Sequence, residues 1–234
     1  MLIQFLNKNQ CLKPQVIDYF SLERETMAVA MSYFDRYMVV KAKSIRQMEI
    51  PTILLMAVTS LYLAAKLNEP KDSVSLQQFA VLSQGKFTES QIAAMEFELL
   101  VILKWFVNPP TPQEFAHQLL NMLSTEIPSR YILKILEVSN YIIELSIFEV
   151  NLTAEKASII ACAANLIAMR CASRTIISQK TIDDYQTRLN SLGVIKINQV
   201  ASLEKYLVDS LNLTKQTLLK IQNQIDPEGV MYQH

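Results

Sequence analysis

Lys66 closes an almost wholly apolar segment, Ile53-Leu-Leu-Met-Ala-Val-Thr-Ser-Leu-Tyr-Leu-Ala-Ala-Lys66. Thirty residues on, Glu96 lies inside a second, Gln91-Ile-Ala-Ala-Met-Glu-Phe-Glu-Leu-Leu-Val-Ile-Leu-Lys-Trp105. Lysine offers three donors on a flexible stem, and glutamate offers two acceptor oxygens. Two packed helices that bring one cation and one anion to the same patch can read the main-chain groups of a partner. No bond-making chemistry accompanies them. His117 and His234 stand alone, at a helix start and at the extreme C-terminus. The chain has no Cys-x-x-Cys, Gly-rich phosphate loop, nucleophile elbow or His-Glu-x-x-His motif. Asp183 and Asp184 read as helix-surface charges. The expectation is therefore no catalytic residue, no metal site and no cofactor, with an all-helical enzyme as the outlying alternative. Each residue also has a plainer reading. Lys66 in a last helical turn favours the helix dipole, Glu96 suits a solvated helix face, and a tryptophan such as Trp105 is more often core than contact.

The elements that must position this pair are helices almost throughout. Residues 25–40 place Met27, Met31, Phe34 and Met38 on one stripe at i, i+4, i+7 and i+11. Pro51 suits the first turn of the next helix. A short helix is predicted over 73–83. Thr88-Glu-Ser-Gln91 is a capping box that opens the helix carrying Glu96. Asn108-Pro-Pro-Thr-Pro112 breaks the pattern and is the best linker; Thr111-Pro-Gln-Glu114 then forms a second capping box. Helices are predicted over 112–123, 129–147, 153–170, 178–191 and 197–210, followed by a helical tail from Asn212 that frays near Pro227-Glu-Gly229. The linker gives two domains, 1–108 and 109–234. The halves echo one another at an offset of 104 residues: Ala57 on Ala161, Leu63 on Ile167, Ala64 on Ala168, Lys66 on Arg170, and Tyr37 on Tyr141. Either any two buried helices look alike, or the chain is a tandem pair of five-helix units.

Composition narrows the function classes. Only 3 Gly occur in 234 residues, against roughly 7 % in an average protein, so few turns need positive φ. Lys+Arg and Asp+Glu number 22 each, and the balance holds in both halves; no basic domain is present to release counterions from nucleic acid. The apolar stretches 53–65 and 157–169 fall short of the ~20 residues that span a bilayer, so core helices are expected and no membrane partner. The N-terminus lacks the basic leader and apolar run of a signal peptide. Cys11, Cys162 and Cys171 form no disulfide framework and read as thiols in a reducing compartment.

Arg24-Glu-Thr-Met-Ala-Val-Ala-Met-Ser-Tyr-Phe-Asp-Arg-Tyr37, then Leu61-Tyr-Leu-Ala-Ala-Lys66, then Met95-Glu96, resembles the cyclin box. The linker Asn108-Pro-Pro-Thr-Pro-Gln-Glu-Phe115 is similar to the junction between two cyclin folds. The resemblance is strong over about 20–120, weaker over 129–170 and faint beyond. The run from Glu25 to Tyr33 most resembles cyclins of unicellular algae such as diatoms. The resemblance implies an all-α chain of two tandem five-helix cyclin folds. It also implies a regulatory subunit that binds and activates a cyclin-dependent serine/threonine kinase in the nucleus or cytoplasm, with catalysis belonging to the kinase. Lys66 and Glu96 match the family's residues that bond main-chain groups beside the kinase C-helix. Leu67, Leu100 and Trp105 match its apolar contacts, and Asp35 and Leu55 match structural positions of the box.

Departures from the family pattern cluster at the start. The family's Met-Arg-Ala-Ile-Leu-like motif and the tryptophan beyond it fall on Phe5-Leu6-Asn7-Lys8-Asn9 and Leu12, with no match, and Pro14 interrupts the helix. That motif builds the groove that docks short substrate motifs; a further groove position, usually Gln, is Leu54. The groove is therefore expected to be degraded. Asp35 loses the motif arginine with which it would pair. Either Arg46 or Lys8 substitutes, or the first helix is lost or replaced upstream of Met1. Two rivals follow: a degenerate cyclin-fold module without kinase activation, and a cyclin-fold protein like transcription factor IIB. The latter would bring a zinc ribbon and a basic face, whereas Lys41, Lys43 and Arg46 make only a small cluster that reads as a solvated loop.

Overall fold

A computed structural model describes residues 22–41, 49–70, 74–123, 127–147, 149–152, 155–172, 177–193 and 196–211. Phe5–Asn9, Leu12 and Pro14, the alternative cations Lys8 and Arg46, Cys11, His234 and the tail from Asn212 lie outside them, as does Lys43 of the small basic cluster. The described residues form nine α-helices and no strand. They are α1 (Arg24–Val40), α2 (Ile50–Asn68), α3 (Leu76–Leu82), α4 (Glu89–Ile102), α5 (Pro112–Leu120), α6 (Ser129–Ser146), α7 (Ala157–Cys171), α8 (Gln179–Ser191) and α9 (Ile197–Ser210). The chain divides into two compact units, Met1–Pro109 and Pro110–His234.

Each unit is built round one apolar helix. In the first, α2 packs against α1, α3 and α4, and an unbroken run from Met56 to Ala65 is buried. A helix apolar on every side can only be central. Its alanines Ala57, Ala64 and Ala65 let neighbouring backbones approach. In the second, α7 plays this part against α5, α6, α8 and α9, with Ser158 to Met169 buried. Its one strongly polar core residue, Asn165, donates to Ala116 O and to Tyr185 Oη, both at 3.1 Å, tying α5 and α8 to the centre.

The helix starts follow local chemistry. Thr88 and Thr111 form the capping boxes read from the sequence. A third, Ser75 with Gln78, opens α3, later than the predicted residue 73. The helix predicted from residue 153 starts at Ala157. The 53–65 stretch belongs to a 19-residue helix, Ile50–Asn68, long and apolar enough by length and composition to cross a membrane. Most of it is instead buried at the centre of its unit.

The single offset of 104 holds only for the central helices. Burial places Thr26, Val29, Tyr33 and Tyr37 of α1 on Ile132, Ile135, Ser139 and Ile143 of α6, an offset of 106. Tyr37 is buried and Tyr141 is 46 % exposed, so those tyrosines are not equivalent. In the last helices the offset is 108: Ile92, Met95, Glu96 and Leu99 of α4 fall on Val200, Leu203, Glu204 and Leu207 of α9. Connections of unequal length shift the register between helices while preserving it within them.

Candidate functional site

Lys66 stands in the last turn of α2 and Glu96 in the middle of α4. The Lys66 Nζ donates to Glu96 Oε1 at 2.8 Å. The carboxylate is almost buried, 8 % exposed as a residue, while half of the lysine side chain remains open to solvent. Tyr62, one turn before Lys66, places its ring 5.5 Å from the ammonium. The Glu96 hydrogen bond holds the lysine above its ordinary pKa, against burial, which lowers it; the charge of Glu96 adds to the rise. The pair is fixed in position before any partner arrives. One Glu96 oxygen and further Lys66 donors remain for a partner's carbonyl and amide groups.

The helices that carry the pair also expose apolar side chains. Leu67 is exposed beside Lys66, and Leu100 is half-buried against the core of the unit. Trp105 is 65 % exposed, which settles against a core position. The structure adds three residues that the sequence reading missed: Phe97, Val101 and Phe106, each more than half exposed. Phe97 and Val101 are spaced i, i+4 on the side of α4 away from its buried Ile92, Met95 and Leu99, a side that the packing identifies. Large exposed apolar side chains on the same unit as the charged pair mark an interaction surface more than a solvated face.

Elsewhere the candidates disperse. Asp35, on α1, is half-buried, and burial pushes its carboxyl up to about 6. Among the described residues it has no hydrogen-bond or ion-pair partner. Leu55 packs against the core of the first unit. Leu54 is buried there too, so it presents no side chain to a surface groove. His117 is exposed on α5. Asp183 is exposed on α8 and accepts from Gln179 at 3.0 Å. Cys162 is buried, its thiol pushed up to about 12; burial and the charge of Glu204 push Cys171 up to about 11, so neither is a ready thiolate. Among the described residues no group of three or more His, Cys, Asp or Glu side chains could hold a metal ion.

A family model described as cyclin, N-terminal domain, matches residues 14–108, and one described as cyclin, C-terminal domain, matches residues 110–231. The chain belongs to the cyclin family. Over 101 residues this cyclin is 38 % identical to the G1/S-specific cyclin-E1 of Gallus gallus, covering 42 % of this chain and 23 % of that protein. Over 176 residues it is 26 % identical to the G2/mitotic-specific cyclin CYB1 of Candida albicans, covering 70 % of this chain and 33 % of that one. The cyclin thus spans a third or less of the length of these curated relatives. A chain in the structure of the CAK complex from Chaetomium thermophilum bound to ATP-gamma-S superposes with a TM-score of 0.59 at 17 % identity, over 91 % of this cyclin and 66 % of that chain. That likeness is one of fold.

Proposed function

We propose that this cyclin binds and activates a cyclin-dependent serine/threonine kinase, acting in the nucleus or cytoplasm, and that the Lys66–Glu96 patch is the docking face. The observation that carries the reading is a charged pair bonded at 2.8 Å on a unit that also exposes Leu67, Phe97, Val101, Trp105 and Phe106. A buried apolar centre with a few placed polar groups is the anatomy of a specific protein interface. In kinases the catalytic arrangement requires the C-helix to be correctly placed. A rigid apolar face with one donor set and one acceptor suits a helix whose end exposes unpaired main-chain groups. The cell-cycle cyclin names among the relatives, and the kinase partner that the resemblance implies, support the same reading.

The experiment is co-purification from a synchronised lysate of the source organism, then assay of the recovered kinase with Lys66→Ala and Glu96→Ala chains. Truncating either leaves partner groups unpaired, at a cost of about 1–3 kcal/mol, or roughly ten- to hundredfold in affinity. Activation should fall accordingly while helicity stays nearly unchanged; Tm should fall modestly for Lys66→Ala, which leaves the almost buried Glu96 carboxylate unpaired. Equal activation by both variants would sink the reading. Unfolding of Lys66→Ala would show instead that its service is to the helix end.

A further inference from the structure

The segment leaving α4 adopts a backbone that its own residues disfavour. Leu103 caps the helix, and Lys104 and Trp105 then take φ of 54° and 60°, both in the left-handed region. The Trp105 amide bonds Leu100 O and the Lys104 amide bonds Val101 O, each at 3.0 Å. That pattern is the helix stop in which glycine usually fills the left-handed position. Here a lysine fills it, and a tryptophan follows in the same conformation, which is uncommon for bulky side chains and costly for each. Such strain persists only where surrounding groups fix it.

The fixing groups come from α1. Arg36 Nη2 donates to Leu103 O at 3.1 Å and Nη1 to Phe106 O at 2.8 Å, so one guanidinium spans the two left-handed residues. Its carbon lies 5.1 Å from the centre of the Phe106 ring. Tyr33 Oη donates to Val107 O, one residue further on. We propose that Arg36 is the positioning residue that holds Trp105 outward on the docking face, by clamping the carbonyls on either side of the strained Lys104–Trp105 pair. The clamp stands on geometry alone; its service to kinase docking rests on the proposed function above. Planarity matters: a guanidinium presents two parallel donors in a fixed fork, and an ammonium does not.

Trp105 is the chain's one tryptophan, so its fluorescence depolarisation reads this segment and nothing else. In the full chain, Arg36→Lys keeps the charge and loses the span, and Arg36→Gln keeps at most one of the two bonds. Both are expected to add a fast local depolarisation of Trp105 and to weaken affinity for the co-purified kinase by about five- to tenfold. Tm should change little. Adding Lys104→Gly to Arg36→Lys removes the Cβ that makes the left-handed stop costly, and should restore both readouts; a purely structural role would show no such rescue. Unchanged depolarisation in both Arg36 variants overturns the clamp, whatever the kinase does. Fast depolarisation with unchanged kinase affinity overturns its link to docking. If no kinase is recovered, the fluorescence still decides the clamp, and the failure falls on the proposed function.

Discussion

The two units carry the same ionic device in different company. Lys66 ends the central helix of the first and bonds Glu96. Arg170 ends the central helix of the second and bonds Glu204 at 2.6 Å. The acids share one register of α4 and α9, and in both pairs the acid is the more buried partner. What differs is the surroundings. Tyr62 under the first cation becomes buried Leu166 under the second. Exposed Phe97 and Val101 become exposed Lys205 and Asp209. A cation at the end of the central helix, tied to an acid on the last described helix of its unit, is thus a property of the fold twice over. Among the described residues, α4 exposes large apolar side chains and α9 exposes none. The ion pair alone is therefore weak evidence for a docking site, and the surface chemistry around it carries the distinction.

The largest effect that tests this contrast is on kinase activation. Glu96→Ala should cost roughly ten- to hundredfold, while Glu204→Ala and Arg170→Ala leave activation unchanged. The latter should shift the melting of the second unit by no more than about 1 kcal/mol, as for a partly exposed pair. Equal losses from both pairs, measured in one titration of the recovered kinase, would erase the distinction. Next in size is a graft. Phe97→Lys with Val101→Asp writes the second unit's surface onto the first without touching Lys66 or Glu96. Both positions are exposed, so Tm should hold within a degree or two, and kinase affinity should drop by about tenfold, the equivalent of one apolar side chain no longer buried. An unchanged affinity would return the whole weight to the charged pair.

The sequence made some of this legible. Scarce glycine and 3.6-residue periodicity announced an all-helical chain, and Ser/Thr-x-x-Glu/Gln patterns located two capping boxes because that chemistry is local. Lys66 and Glu96 were found because each is a charge in an apolar run. The pairing of Arg170 with Glu204 was hidden: a fixed offset of 104 lands Glu96 on Val200, since the connections between helices differ in length. Phe97 and Val101 were hidden for another reason. An apolar residue on an amphipathic helix looks like core until the packing shows which face is turned inward. The left-handed Lys104–Trp105 stop had no signal at all, because the usual marker is a glycine and none is present.

Asp35 gives a third, smaller test. Its α6 counterpart in register is Tyr141, an exposed side chain without a carboxyl, so the first unit alone carries a half-buried acid there. Burial raises the folded carboxyl to about 6. The folded chain then binds more protons than the unfolded chain between about pH 4 and 6, and stability falls as pH rises through that window. Above pH 6 the cost is complete. Asp35→Asn should therefore raise Tm at pH 7, by the equivalent of about 1–2 kcal/mol with solvent screening allowed for, and should flatten the fall between pH 4 and 6. A loss of several degrees at pH 7 would reveal a cation that pairs with the carboxylate.

The smallest expected effect is an absence of binding, and it asks whether the first unit's surface docks anything besides the kinase. We propose that the substrate-docking groove of the cyclin family is degraded in this chain. A groove that reads an Arg-x-Leu motif must offer the arginine an acid or an amide. Where the family pattern has Gln, this chain has Leu54, buried in the core of its unit and presenting neither. Leu54→Gln is no test, because it would bury an amide in an apolar helix junction. Direct titration is the test: an Arg-x-Leu peptide added to the full chain should show no saturable binding below about millimolar, the range left to a few unaided contacts. Micromolar affinity would mean that a second recognition surface exists on the first unit. If Lys66→Ala and Glu96→Ala left that affinity unchanged, the new surface would be separate from the kinase face. If they abolished it, the patch assigned here to the kinase would be a peptide site instead.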